Sequence, residues 1–197
     1  MRRMSDTGGK GAGPKPAPSF SKNGAALKSP LDELYRRPGF LIRRAQQIAV
    51  SLFLEETGVL GITTTQYGIL FVLKHSPGID QISVAKLLGL DRSTTGMVLG
   101  KLEQAGFIER SREARDRRKH KLVLTRAGER MLERLAEPAG KAQARVLATF
   151  TPSERATFLR LLEKFVKKFN DSTRVPLETQ RARAKRREEP LPADGAR

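Results

Sequence analysis

Apolar residues between positions 38 and 57 recur every three to four residues, which is the spacing of an amphipathic helix. The positions that share one face are Leu41, Ala45, Ile48, Ala49 and Leu52. Residues 151–170 begin with the capping box Thr-Pro-Ser-Glu and carry a second apolar stripe. Its members are Phe158, Leu161, Leu162, Phe165 and Phe169. The pattern predicts a helix at each end of the patterned region, with apolar faces that suit a dimer core.

Helix start and stop signals divide the sequence after residue 62 into shorter helices. A capping box that starts at Thr63 predicts a second helix, which runs to about His75. Asp80 is the expected N-cap of a third helix, residues 81–88, and Asp91 that of a fourth, which ends near residue 105. On the fourth helix the apolar stripe comprises Thr95, Val98, Leu99 and Leu102. The opposite side comprises Ser93, Thr94, Gly96, Met97, Gly100 and Lys101.

Two short apolar segments flank a basic stretch and predict a β-hairpin. Residues 107–110 form the first strand and residues 121–125 the second, although SREARDRRKH between them lacks an Asn-Gly or Asp-Gly turn. A long helix is then expected from Arg126 to about Phe150, with a bend near Pro138. This order of helices, strands and basic loop is that of a winged helix-turn-helix.

The predicted fold is mainly α with a small β-hairpin wing, and has dimerisation helices at both ends. The chain is expected to comprise a disordered basic N-terminal tail (1–30), a winged helix-turn-helix domain (31–173) and a basic C-terminal tail (174–197). Within the domain, the DNA-binding lobe covers about 63–125, and the dimer helices cover about 36–57 and 126–170.

Positive charge is concentrated at the predicted hairpin. The chain of 197 residues has a net charge of +17, and residues 110–121 hold seven Lys or Arg and two Asp or Glu. A charge run is commonly just a solvated surface, but a focused basic patch beside a recognition helix is typical of DNA binding. We expect the fourth helix in the major groove and the hairpin loop in the minor groove. The residues predicted to contact DNA are Arg92, Ser93, Thr94, Gly96, Met97, Lys101, Arg115, Asp116, Arg117, Arg118 and Lys119.

The stretch DRRKHKLVLTRAG resembles the wing motif of the MarR (multiple antibiotic resistance regulator) family. The matching residues are Asp116, Arg118, Leu124, Thr125 and Gly128. LGLDRSTTGMVLGKLEQAGFIER is similar to the recognition helix and first wing strand of the family, at Leu90, Asp91, Ser93, Thr94, Leu102, Gly106 and Arg110. The resemblance spans about residues 36–170. It implies a triangular dimer with intertwined terminal helices, in which Arg118 enters the minor groove and Asp116 holds it.

The middle of the predicted recognition helix departs from the family pattern. Gly96, Met97 and Gly100 stand where members often carry Arg or another long polar residue. Either the glycines allow close approach to DNA, with Met97 touching thymine methyl groups, or these solvent positions have drifted. Both interpretations remain open at this point.

The resemblance also implies a small-molecule effector. Arg43 and Arg44 are candidate ligands for an anion, because arginine forks match carboxylates, and Tyr67 and His75 complete the candidate effector site. The stretch PGFLIRRAQQI is similar to members that sense aromatic carboxylates or their CoA thioesters. The alternatives are interface or surface charges for the two arginines, and a capping or surface role for His75.

Composition excludes several other functions. The chain has no Cys and two His, so we expect no metal site and no cofactor. No nucleophile–base constellation or phosphate-binding glycine loop indicates an enzyme. No apolar run of about 18 residues and no signal peptide is visible, so we expect no membrane and a cytoplasmic location.

The predicted function is that of a sequence-specific transcriptional regulator, a ligand-responsive repressor. The expected partners are double-stranded DNA with an inverted-repeat operator, a second copy of the chain and the effector. The alternative is an architectural DNA-binding protein with little sequence preference.

Overall fold

The computed structural model describes residues 30–112 and 120–179, and the chain divides into two compact units, Met1–Ile42 and Arg43–Arg197. In the first unit, α1 (Pro30–Arg36) is a short helix that the apolar pattern did not predict. The Tyr35 and Phe40 rings lie 5.3 Å apart, and Arg37 pairs with Glu33 at 2.8 Å. The next helix, α2 (Pro38–Thr57), begins in this unit and continues into the second.

The second unit follows the predicted order of elements. After α2, the elements are α3 (Thr64–His75), α4 (Gln81–Leu88), α5 (Arg92–Gln104), β1 (Ile108–Arg112), β2 (His120–Leu124), α6 (Arg126–Leu147) and α7 (Pro152–Phe169). The strands pair antiparallel, with Ile108 opposite Leu124. The winged helix-turn-helix fold is confirmed, with strand and helix ends within a few residues of those expected.

Side-chain caps explain where the helices begin. The N-caps of α3 to α7 are Thr63, Asp80, Asp91, Thr125 and Thr151, and each accepts a hydrogen bond from the backbone N–H three residues later. These bonds satisfy amides that a helix start otherwise leaves without a partner. Both predicted capping boxes, on α3 and α7, are complete.

The main core lies inside the winged lobe. Its buried members are Ile62, Ile69, Leu70, Leu73, Ile79, Val84, Val98, Leu99, Leu102, Ile108, Leu122 and Leu135. Ile79 also forms a bridge with Leu122, in which the Leu122 N–H donates to the Ile79 carbonyl at 2.9 Å. The segment before α4 is thereby joined to the hairpin, a contact that the sequence did not predict.

The long helix α6 passes through Pro138 and ends at Leu147, three residues before the predicted end. Three cross-helix ion pairs hold it, one to α3 in the lobe and two to α2. Lys74 Nζ lies 2.8 Å from Glu129 Oε1, and Arg145 reaches Glu55 at 2.9 Å and Glu56 at 2.7 Å. These pairs are exposed, so they orient helices more than they stabilise the fold.

Among the described helices, none alone has the length and apolar character to cross a membrane. Only Pro38–Leu60 and Thr64–His75 pass that test together, as a pair bent by 73°.

Candidate nucleic-acid interface

The N-terminus of α5 is held by one carboxylate. Asp91 accepts hydrogen bonds from the Ser93 hydroxyl at 2.6 Å, the Thr94 hydroxyl at 2.6 Å and the Thr94 amide at 2.8 Å. The Ser93 hydroxyl, followed by the Thr94 hydroxyl and amide, holds the pKa of Asp91 well below its usual range. Each hydroxyl proton is committed to Asp91. The two hydroxyl oxygens therefore offer lone pairs, not donors, to a neighbouring molecule.

The buried face of α5 is the one that the sequence predicted. The buried face comprises Thr95, Val98, Leu99 and Leu102. On the other side Arg92, Ser93 and Lys101 are exposed, and Met97 is 58% exposed. This arrangement presents a short helix with a polar end and a methionine at its centre, which fits the width of a major groove of about 12 Å.

The two glycines of α5 have different surroundings. A Cβ at Gly96 would lie 3.1 Å from the side-chain nitrogen of Gln81, whereas one at Gly100 would meet nothing within 4 Å. Gln81 also donates to the Arg92 carbonyl at 3.4 Å. Gly96 thus faces the contact between α4 and α5, whereas Gly100 has open space beside it. Helical periodicity along α5 could not identify Gln81, because that residue lies on another helix.

An ion pair joins α5 to the first strand of the hairpin. Arg110 Nε lies 2.9 Å from Glu103 Oε2, although the angle is not that of a hydrogen bond. Arg110 is half-buried there, and Glu103 is a contact that the sequence analysis missed. The predicted wing residues Arg115, Asp116, Arg117, Arg118 and Lys119 lie outside the described residues, so their DNA contacts stay predictions.

The Leu-Thr and Gly residues of the wing motif form the joint between the lobe and α6. The Thr125 hydroxyl donates to the Gly106 carbonyl at 2.7 Å and accepts from the Gly128 amide at 3.1 Å. A Cβ at Gly128 would overlap the Phe107 carbonyl oxygen. The motif thus fixes the start of α6 against the turn that follows α5.

An aromatic row runs from α2 along α3. Phe53 and Tyr67 have ring centroids 5.6 Å apart, Tyr67 and Phe71 6.1 Å, and Phe71 and His75 4.4 Å. Tyr67 is half-buried beside the small cluster of Phe53, Ala139 and Ala142, where α2, α3 and α6 meet. The predicted effector residues Tyr67 and His75 therefore lie on one aromatic row.

The other two predicted effector residues lie farther along α2. Arg43 and Arg44 are exposed, and Arg43 is ten residues before Phe53. At 1.5 Å of rise per residue, that separation is about 15 Å along the helix axis. Within one chain, the helix therefore separates the two arginines from the Phe53–Tyr67 contact.

Among the described residues, no group of three or more His, Cys, Asp or Glu is arranged to hold a metal ion.

Comparison with known proteins relates this architecture to regulators of transcription. The sequence pattern of the MarR family matches residues 62–120, from the start of α3 into the hairpin. A helix-turn-helix transcriptional repressor of Mycobacterium tuberculosis is 31% identical over 141 residues, which are 72% of this chain and 96% of that protein.

Two solved structures are similar in fold and in sequence. The transcriptional repressor CouR, bound to a 23-mer DNA duplex, has a TM-score of 0.65 and 29% identity over 72% of this chain and 99% of its own. The second structure is that of BpsR of Bordetella bronchiseptica, whose DNA binding is regulated by 6-hydroxynicotinic acid. It has a TM-score of 0.63 and 26% identity, and the match covers 66% of this chain and 94% of BpsR. With its capped recognition helix, paired hairpin and Thr-Gly joint, the chain belongs to the MarR family of winged helix-turn-helix, DNA-binding transcriptional regulators.

Proposed function

We propose that this regulator is a sequence-specific repressor, which binds an inverted-repeat operator as a homodimer and releases it when an aromatic ligand binds. The observation that carries the proposal is α5, because its four apolar residues are buried while its opposite side is open and its start is fixed by Asp91. A rigid exposed helix of 13 residues is the element that winged helix-turn-helix proteins insert in the major groove.

The exposed groups of α5 suit particular base edges. The Ser93 and Thr94 oxygens, with their protons donated to Asp91, would accept from the amino group of adenine or cytosine. Met97 would contact thymine methyl groups, and Arg92 and Lys101 would bind guanine or phosphate. Gly100, with open space beside it, would let the backbone of α5 approach the DNA closely.

The exposed apolar face of α7 supports a homodimer. No residue of this helix is buried in the single chain, and its exposed large apolar residues are Leu159, Leu161, Leu162, Phe165, Val166 and Phe169. A monomer rarely exposes so long an apolar stripe, and a second copy would cover it with the same stripe across a two-fold axis. Two lobes related by that axis would read two inverted half-sites.

The aromatic row supports a ligand with a ring and a polar group. The His75 Nδ1 donates to the Phe71 carbonyl at 2.8 Å, which leaves Nε2 on the other side of the ring for a ligand. A phenol hydroxyl would donate to that nitrogen. Arg43 and Arg44, which α2 separates from the row within one chain, would bind the anionic part of a longer ligand such as an aromatic acyl-CoA thioester. The ligand would be an aromatic carboxylate, or its CoA thioester. The similarity to BpsR, whose DNA binding is regulated by the aromatic acid 6-hydroxynicotinic acid, supports this class of effector.

Release of DNA requires only modest coupling. If the effector favours a spacing of the two α5 helices that DNA disfavours, a coupling of about 1.4 kcal/mol lowers DNA affinity tenfold. The contacts of Thr125 and Gly128 support such coupling between ligand and DNA, because they join α6 to the turn after α5. The regulator would act in the cytoplasm.

The test is selection of bound duplexes from a random DNA pool, followed by ligand titration of the selected complex. We expect an inverted repeat to be selected and aromatic acids to release it. His75→Ala, Tyr67→Phe, Arg43→Ala and Arg44→Ala should each weaken the ligand response without weakening DNA binding, and Lys141→Ala on the outer part of α6 serves as control. Release that none of the four variants alters would place the effector elsewhere, and selection of no common sequence would contradict the proposed repressor.

A further inference from the structure

The side chain of Gln81, the first residue of α4, joins the N-terminal ends of α4 and α5. Its Nε2 donates to the Arg92 carbonyl at 3.4 Å, and a Cβ on Gly96 would lie only 3.1 Å from the same nitrogen. Arg92 and Gly96 are four residues apart and are therefore neighbours on one side of α5. The Gln81 carboxamide thus lies against the first turns of the recognition helix.

The glycine at position 96 is what allows this contact. A separation of 3.1 Å is shorter than a Cβ normally tolerates, so an alanine at this position would displace the amide nitrogen of Gln81. Glycine is otherwise unfavourable in the interior of a helix, because it leaves the unfolded chain more conformational freedom to lose. The close approach of the Gln81 carboxamide is therefore a structural reason for a glycine at this point of α5.

Only part of the hydrogen-bonding capacity of the Gln81 carboxamide is used inside the lobe. A glutamine side chain has two N–H donors and one carbonyl oxygen. Within residues 30–112 and 120–179, its one hydrogen bond is the donation to the Arg92 carbonyl. The bond fixes the carboxamide at the recognition helix and leaves the second N–H as a donor for a neighbouring molecule.

The carboxamide lies beside the part of the lobe that meets DNA. Arg92 is exposed, and Gly100, four residues beyond Gly96, has open space beside it. In helix-turn-helix complexes the first helix of the motif crosses the DNA backbone, while the N-terminal residues of the second contact base edges. Here α4 and α5 are those two helices, so Gln81 stands where the DNA backbone would pass.

We propose that Gln81 is a further DNA-contacting residue of each lobe, which donates its second N–H to a backbone phosphate beside the recognition helix and is held in place for that contact by Gly96. The proposal rests on the proposed function only in that α5 must dock on DNA. Glutamine is one of the side chains that bind phosphates in protein–DNA complexes, and such contacts fix the register of the protein on the duplex without reading its sequence.

The first experiment measures the affinity of Gln81→Ala over a range of salt concentrations. We expect affinity to fall about tenfold to hundredfold, as for a lost hydrogen bond to a charged group, and equally on operator and bulk DNA. The slope of log affinity against log salt should stay unchanged, because a neutral side chain releases no counterion. Gln143→Ala, at an exposed position of α6, is the matched control. Wild-type affinity of Gln81→Ala, or a loss confined to the operator, would overturn the proposal.

The variant Gln81→Glu separates the contact from folding. A carboxylate in the first turn favours a helix, so the Tm should be unchanged or higher. The same carboxylate has no N–H to donate and repels a phosphate, so DNA binding should be weaker than that of Gln81→Ala. Binding as tight as that of the wild type would contradict a donor role for Gln81.

The variant Gly96→Ala tests how the carboxamide is held. The added methyl group displaces the Gln81 nitrogen, so we expect binding to weaken severalfold in the wild-type background and not to weaken further in the Gln81→Ala background. An equal loss in both backgrounds would show that the methyl group meets the DNA itself, and that Gly96 does not act through Gln81.

Duplexes that carry a single methylphosphonate, which removes the charge of one phosphate, identify the group that Gln81 contacts. The wild type should lose affinity when one particular phosphate beside each half-site is replaced. Gln81→Ala should be insensitive to that replacement and as sensitive as the wild type to all others. Identical profiles for the two proteins would overturn the proposal.

The two proposals fail separately in these experiments. If no operator is selected but Gln81→Ala still weakens binding to bulk DNA with an unchanged salt slope, the specific-repressor function is wrong and the glutamine contact stands. If an operator is selected but the methylphosphonate profiles of wild type and Gln81→Ala are identical, the repressor function stands and the proposal for Gln81 is wrong.

Discussion

The carbonyl oxygen of Phe107 occupies the space that a Cβ on residue 128 would need, so only glycine fits at the start of α6. Phe107 follows the recognition helix, and Gly128 lies in the first turn of the long helix that leads away from the lobe. The contact is close because the Thr125 amide also donates to the Phe107 carbonyl at 3.0 Å. The backbone at the start of α6 is therefore in direct contact with the backbone of the DNA-binding lobe.

Gly128→Ala should lower the free energy of unfolding by about 1 to 3 kcal/mol, since the new methyl group forces backbone apart in a close-packed joint. Gly140→Ala on the same helix is the matched control, because a Cβ there meets nothing within 4 Å. The control should be neutral or more stable by up to about 1 kcal/mol. Denaturant unfolding of both variants distinguishes them, and equal stability would contradict the close contact at residue 128.

Gly100→Ala should separate folding from DNA binding. The added methyl group has open space in the free protein and improves helix propensity, so stability should rise by up to about 1 kcal/mol. If the backbone of α5 approaches the bases, the same methyl group should weaken operator binding severalfold. Affinity and thermal unfolding are measured together, with Gly140→Ala as the control for helix propensity alone. A variant that is more stable and binds as tightly would indicate that Gly100 does not face the DNA.

Asp91→Ala should lower the Tm at neutral pH, because the caps of α5 are lost. The pKa of Asp91 is held below its ordinary value of 3.8, so its carboxylate contributes stability that is fully present above that pH. That contribution is lost as the pH falls through the lowered pKa. The difference in Tm between wild type and variant should therefore shrink progressively below about pH 3.8. A difference that stays constant down to pH 2 would contradict the hydrogen-bonded carboxylate.

The wing prediction is tested by a pair of substitutions at residues outside the described ranges. Arg118→Ala should cost about 1 to 3 kcal/mol of DNA-binding free energy and make the salt slope shallower. Asp116→Ala should also weaken binding, although it removes a negative charge, because Asp116 is expected to orient Arg118. Tighter binding by Asp116→Ala would show that the wing acts through net charge alone.

Local signals predicted most of the secondary structure. The N-caps at Thr63, Asp80 and Asp91 act within four residues, so their sequence pattern is sufficient to locate α3, α4 and α5. The short α1 was not predicted, because its apolar residues do not form a stripe long enough to exceed the background.

The predicted site was less complete because its contacts join residues on different helices and strands. Gly96 was assigned to the DNA face from helical periodicity, which cannot show that Gln81 of α4 lies beside it. The pair of Arg110 and Glu103 spans the turn between α5 and β1, where no periodic rule applies. The hydrogen bond from the Glu178 amide to the Lys86 carbonyl could not be predicted either, because it joins two backbone groups.

The homodimer is tested by placing a charge on the exposed stripe of α7. Phe165→Glu should yield a monomer in sedimentation at micromolar concentration and lose operator affinity, because one lobe binds only one half-site. Lys164→Glu, which puts the same side chain at the neighbouring exposed position, should remain dimeric. A wild-type protein that is monomeric and binds its operator fully would be incompatible with a two-fold arrangement.

The most direct test of the account is the ratio of two dissociation constants measured at one salt concentration, for the selected inverted repeat and for a shuffled duplex of equal length. A sequence-specific repressor should prefer its operator by about 10³ or more. Exchanging the bases of one half-site should remove most of that preference. Equal constants for the two duplexes would contradict the account and favour an architectural protein that binds DNA through phosphates alone.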